Sequence, residues 1–136
     1  MREQVRERGA AAVEFALVVP LLIALVLGIA AFGRAYNIQS SLSMSAREGA
    51  RVMALYSPPS GANSKAGETA TSAAMGLIGV TDPSLITTST TPATCAPDLR
   101  AVTTVSYTFD LFGFGGFLGV PETIKLTGRA VMQCSG

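Results

Sequence analysis

Glu14 is a carboxylate set at the edge of an apolar run, and its type and position call for a cationic partner. Ala10-Ala11-Ala12-Val13 precede it, and from Phe15 to Gly33 no charged side chain occurs. An acidic group at the centre of a membrane span costs about 2.5–3.5 kcal/mol, and less towards the interface. Glu14 therefore either pairs with a cation or snorkels to the headgroups. The other reactive side chains are two thiols, Cys95 and Cys134. In an oxidising compartment they would form one disulfide closing a loop of roughly 40 residues, for which the chain-entropy estimate is about 3–4 kcal/mol. Two separate buried thiols are the alternative.

Catalysis is not expected of these residues. The chain has no His to serve as base for its many Ser and Thr hydroxyls, and no motif places an acidic pair for general acid/base work. Metal-ligand spacing is absent, so neither a metal nor another cofactor is expected. Glycines between 113 and 119 lack the Lys and the strand-to-helix setting of a phosphate loop, and no small-molecule substrate is indicated. Net charge is +1, and without residues 1–9, which hold three Arg and two Glu, seven basic and seven acidic side chains would remain. That balance gives no nucleic-acid surface.

The composition, 49% hydrophobic and 14% charged, fits a single-span membrane protein with one small domain. Phe15 to Gly33 is about long enough to cross a bilayer as a helix rising ~1.5 Å per residue. The pattern then continues, with Ala35, Ile38, Leu42, Ala46, Ala50 and Met53 at three- and four-residue spacing. One long helix is predicted from Ala10 to Leu55, in membrane for its first half and amphipathic for its second, with Pro58-Pro59 ending it. Pro20 should kink or loosen it, which packing against neighbouring helices can compensate.

Three readings compete for this segment: a cleaved secretory signal with Gly28-Ile29-Ala30 before the cut, an uncleaved anchor, and a leader followed by a retained helix. Glu14 and the continuing helical pattern oppose the first. Arg2, Arg6 and Arg8 crowd the short tail before the span, whereas Arg34, Arg47 and Arg51 follow it more sparsely. That density favours a cytoplasmic N-terminus and an extracytoplasmic head.

Within the amphipathic half, Arg47, Glu48, Gly49 and Arg51 form an interface candidate. Glu48 and Arg51 are spaced for an i,i+3 pair worth a few tenths of a kcal/mol. Gly49 costs about 1 kcal/mol relative to Ala in a helix, so a close approach by the head or another helix would account for it. Beyond a linker at 57–63, Lys65 to Ile78 reads as a helix ended by Gly79. Leu85–Thr90, Ala101–Phe109 and the alternating segment from Ile124 to Cys134 read as strands. The apolar, Gly-rich stretch at 111–120 would pack under the sheet, dock on a partner subunit or dip into the membrane. The fold class expected is α+β: a long N-terminal helix, then a small head with one short helix and about three antiparallel strands.

The basic residues at 2, 6 and 8, Gly9 directly before the apolar stretch, and Glu14 as the fifth residue after that Gly resemble a type IV prepilin processing site. From Arg8-Gly9-Ala10-Ala11-Ala12-Val13-Glu14-Phe15 to Pro20 the chain is similar to the opening of TadE-like proteins, pilin-like components of the tight-adherence pilus system. Gly28-Ile29, Phe32-Gly33-Arg34-Ala35-Tyr36 and Ala46-Arg47-Glu48-Gly49-Ala50-Arg51 resemble the family's later segments in the same order. Val105-Ser106-Tyr107-Thr108-Phe109 is a short, weak match to its later strand.

The resemblance implies a minor pilin or pseudopilin cut between Gly9 and Ala10 by a prepilin peptidase of the bacterial inner membrane. Its other partners would be pilin subunits and the Tad secretion machinery, and its role pilus biogenesis and adhesion. Residues 1–9 would be a cytoplasmic leader, 10–33 the span, 34–56 its amphipathic extension and 57–136 the head. The new amine at Ala10 would lie about one helical turn from Glu14. Glu14 would then be an assembly contact, pairing within one chain or with a neighbour.

Overall fold

The computed structural model describes residues 2–55, 60–110 and 122–134, with side chains from residue 9 onward. Pro58-Pro59 and the apolar stretch at 111–120 lie outside the described residues. Helix α1 spans Arg2–Leu55 and α2 spans Ala62–Ile78; strands β1 (Ile86–Thr91), β2 (Arg100–Asp110) and β3 (Thr123–Gln133) follow. The strands form one antiparallel sheet in the order β1-β2-β3. This is an α+β, pilin-like layout.

Two compact units divide the chain, Met1–Arg34 and Ala35–Gly136. In the first, α1 begins earlier than the sequence pattern suggests. Its helix runs from Arg2 through Gly9 and continues through Pro20. A single Gly weakens a helix by about 1 kcal/mol without ending it, and Arg, Glu and Gln on its N-terminal side are good helix formers. Among the described residues, one helix is long and apolar enough to cross a membrane, and its apolar window is unburied.

The second unit is built on the other half of α1. Ile38, Leu42, Ala46, Ala50 and Met53 are all buried, and Ala35 packs beside them. Ser41, Ser45 and Gly49 share this buried face, so it is wider and more polar than the apolar spacing indicated. Ser45 satisfies its hydroxyl locally by donating to the Leu42 carbonyl at 2.9 Å. Backbone bonding of this kind lets a small polar residue occupy a core position.

Helix α2 starts at Ala62, inside the stretch that composition marks as linker. Asn63 explains the difference, since its Nδ2 donates to the carbonyls of Thr90 (3.0 Å) and Pro92 (3.5 Å) and ties the helix start to the end of β1. Ala62, Ala66, Ala70 and Ala74 form one fully buried stripe at i,i+4 spacing. Gly79 ends the helix with φ 77°, its N–H donating to the Met75 carbonyl; this left-handed cap is a conformation that Gly adopts without a Cβ penalty.

A short 3-10 turn at Pro83–Leu85 leads into β1. It accounts for Leu85, which the sequence pattern gives to the strand. Asp82 caps the turn by accepting from the Ser84 hydroxyl (2.7 Å) and backbone N–H (2.9 Å), bonds that hold its carboxyl below the usual range. A lowered folded-state value means that the cap is intact at neutral pH and is lost only as the pH falls through that value.

Along the sheet, facing residues alternate as the pattern of the last strand requires. Gly128 lies opposite Val105, and Ala130 opposite Thr103, on the face that meets α1 and α2. Lys125, Thr127, Arg129 and Gln133 alternate with them on the other face, together with the exposed Val131. Two buried clusters fill the space beneath the sheet. One joins Leu42, Ala46, Ala70, Val105 and Phe109; the other joins Met53, Ala62, Ala66, Ala101 and Cys134.

Candidate functional site

The N-terminal candidates all lie in α1. Gly9, Ala10 and Glu14 are exposed helical residues, with Ala10 and Glu14 four apart. Residues at i and i+4 are neighbours on a helix surface, so an amine created at Ala10 would be within one turn of the Glu14 carboxylate. Around Glu14 the helix surface is apolar, with Val13, Phe15, Leu17, Leu21 and Leu25 exposed. Such a surface suits lipid or other apolar helices, and in either setting a carboxylate needs compensation.

Farther along α1, the four interface candidates separate. Arg47, Glu48 and Arg51 point to solvent, and Glu48 and Arg51 approach to 3.9 Å in the i,i+3 arrangement. Both are about half exposed or more, so the pair contributes at most a few tenths of a kcal/mol. Gly49 faces the opposite way and is buried within the head itself. A Cβ placed there would meet the Ala70 Cβ at 2.8 Å, the Thr103 Cγ2 at 2.9 Å and the Ala66 carbonyl oxygen at 3.0 Å. The head's own α2 and β2 thus account for the Gly. Gly49→Ala is expected to destabilise the head by about 1–2 kcal/mol, overpacking outweighing the gain in helix propensity. Chemical unfolding of the detergent-solubilised chain measures it.

Two further residues seat α1 on the sheet. Gln39 donates from Nε2 to the Thr127 carbonyl at 2.6 Å, covering a backbone acceptor of the outer strand β3. Gly128 lies against the Leu42 backbone so closely that any Cβ would overlap the Leu42 carbonyl group. Sequence reasoning counted Gly128 only as an inward position of the strand; Gly inside a strand also signals close backbone approach.

Cys95 and Cys134 form a disulfide with their Cα atoms 5.5 Å apart and a sequence separation of 39. It joins the segment before β2 to the residue following β3, and the Cys134 N–H donates to the Leu99 carbonyl at 3.0 Å. Replacing both by Ser is expected to lower stability by about 3–4 kcal/mol on the chain-entropy account. Urea midpoints of the full chain, with and without reductant, provide the measurement, and an unchanged midpoint would refute that contribution.

Among the described residues no group of His, Cys, Asp and Glu is placed to hold a metal ion. Every buried side-chain N or O among them has a hydrogen-bond partner. Among the described residues the buried polar groups of the head are thus satisfied, and Glu14 is a charged side chain set beside the exposed apolar run.

No curated protein matches the chain, and no solved structure does. Residues 9–51 match the family model of the TadE-like protein, a stretch that runs from the Gly before the apolar run to Arg51 at the end of the exposed pair. Through that segment the chain is similar to the TadE-like family.

Proposed function

We propose that the chain is a minor pilin or pseudopilin of a Tad-type pilus, structural rather than catalytic, that contributes to pilus biogenesis and adhesion. The observation that carries this reading is the TadE-like match over residues 9–51, coinciding with a helix long and apolar enough to span a membrane. On this reading residues 10–33 cross the bacterial cell membrane once, with the N-terminus cytoplasmic and the head outside. A prepilin peptidase removes residues 1–9, and the new amine at Ala10 pairs with Glu14 of the same or a neighbouring chain. Other pilin subunits and the Tad machinery are the partners. The exposed Arg47, Glu48 and Arg51 offer them a charged surface next to a Gly49 already occupied by the head.

Because α1 is helical through Gly9, the peptidase must receive a locally unwound chain. Gly at that position lowers the cost of unwinding by about 1 kcal/mol relative to Ala. Mass spectrometry of the mature N-terminus, in cells with and without the peptidase, tests the reading. A start at Ala10 that depends on the enzyme is expected. An intact leader in both would support an uncleaved anchor presenting a binding head, and a start near Ala31 a secreted domain.

A further inference from the structure

The two ends of the head unit differ in chemistry. At one end the disulfide, Met53, Ala54, Ala62 and Ala101 pack together. At the other, Ala35 and Ile38 of α1 meet Ile78, Ile86, Phe109 and Leu126. The antiparallel registers and the contact of α2 with the 3-10 turn bring three more apolar side chains to this second end: Leu77 in the last turn of α2, Leu85 just before β1 and Ile124 at the start of β3, which faces Phe109. They are not absorbed into the core. Leu85 is 52% exposed, Leu77 48% and Ile124 37%, and Tyr36 beside Ala35 is 71% exposed. The disulfide end carries exposed apolar side chains as well, Leu55, Leu99 and Met132, but Ala35, through which the chain continues from the apolar run, belongs to the other end.

Covalent connection distinguishes the two ends. The apolar run closes at Gly33, two residues before Ala35 in sequence. Tyr at the edge of an apolar span is the side chain that membrane interfaces favour. The exposed charges of this end, Asp82, Asp110, Glu122 and Lys125, can stay in water only if the contact is shallow.

We propose that this end of the head rests on the bilayer, with Leu77, Leu85 and Ile124 in the headgroup region as a second membrane contact beside the span. The inference rests on residues 10–33 being that span. An apolar rim seated about 5–10 Å deep would hold the head against the membrane before assembly and would have to be released when the subunit leaves it.

The test uses the full chain, with its native disulfide oxidised, in vesicles of phosphatidylethanolamine and phosphatidylglycerol. A nitrobenzoxadiazole label is attached to Leu85→Cys, Ile124→Cys or Leu77→Cys, with Ile23→Cys and Leu99→Cys as references, and nitroxide lipids as quenchers. Labels at 77, 85 and 124 are expected to be quenched at least about twofold more than the label at 99, as interfacial burial requires. Equal quenching at 77, 85, 124 and 99, with strong quenching at 23, would overturn the contact while leaving the span in place; a rim covered by the 111–120 stretch or by another protein gives this result. Absence of quenching at 23 would overturn the span itself, and the contact with it.

Discussion

Gly128→Val should unfold the head, and Gly128→Ala alone should cost more than about 3 kcal/mol, the upper part of the range for overpacked cores. The reason is the identity of the obstructing atoms. A Cβ on this inward position of β3 would overlap the carbonyl carbon and oxygen of Leu42, which belong to a helix backbone and cannot rotate aside. Either α1 lifts from the sheet or β3 loses its register with β2. Lifting α1 exposes Leu42, Ala46 and Ala50, all fully buried; Leu42 alone represents about 1.5–3 kcal/mol of burial. A domain of this size has only about 5–15 kcal/mol in total. Gly67 is the control, because a Cβ there meets nothing within 4 Å. Gly67→Ala should be neutral or stabilising by up to about 1 kcal/mol. Urea unfolding of the detergent-solubilised full chain, followed by near-ultraviolet circular dichroism, compares the three variants, and a Gly128→Ala midpoint close to that of Gly67→Ala would rule out the backbone contact.

Glu14→Ala is expected to reduce incorporation of the subunit into an assembled complex at least tenfold without impairing membrane insertion. Breaking an ion pair in low dielectric costs about 3–5 kcal/mol, and about 1.4 kcal/mol is already tenfold in an equilibrium. Insertion itself should become slightly easier, since the substitution removes a charge from the edge of an apolar run. The measurement is the ratio of Glu14→Ala to unaltered chain in purified complexes against the same ratio in total membranes. Equal ratios would leave Glu14 as a headgroup-facing acid without a role in assembly. Glu14→Gln separates charge from shape, and on the pairing account it should fail nearly as badly as Ala.

How much of this could be read beforehand depends on the range of the interaction. The helical face from Ala35 to Met53 and the alternation of β3 are local periodicities, and periodicity survives in a single sequence. The TadE-like segment was legible for the same reason, as short ordered motifs within residues 8–51. The start of α2 was not, because it depends on Asn63 reaching carbonyls 27 and 29 residues away. Nor was the helix over residues 2–9, where Gly9 marked a boundary that the surrounding helix formers override. Gly49 shows the limit most clearly. Its helical cost was visible in sequence, yet whether its neighbour was another helix or the head's own Ala70 and Thr103 is a matter of tertiary placement.

The seat of α1 on β3 also sets a clock. The Gln39–Thr127 bond joins residues 88 apart in sequence, and ribosomes add about 5–20 residues per second. For an interval on the order of ten seconds, the face of α1 bearing Leu42, Ala46 and Ala50 exists without the strand that will cover it. The last strand to be made closes the head, and Cys134, following it, can meet Cys95 only after that. Any protein that holds the nascent chain therefore has a defined surface to shield and a defined moment to let go.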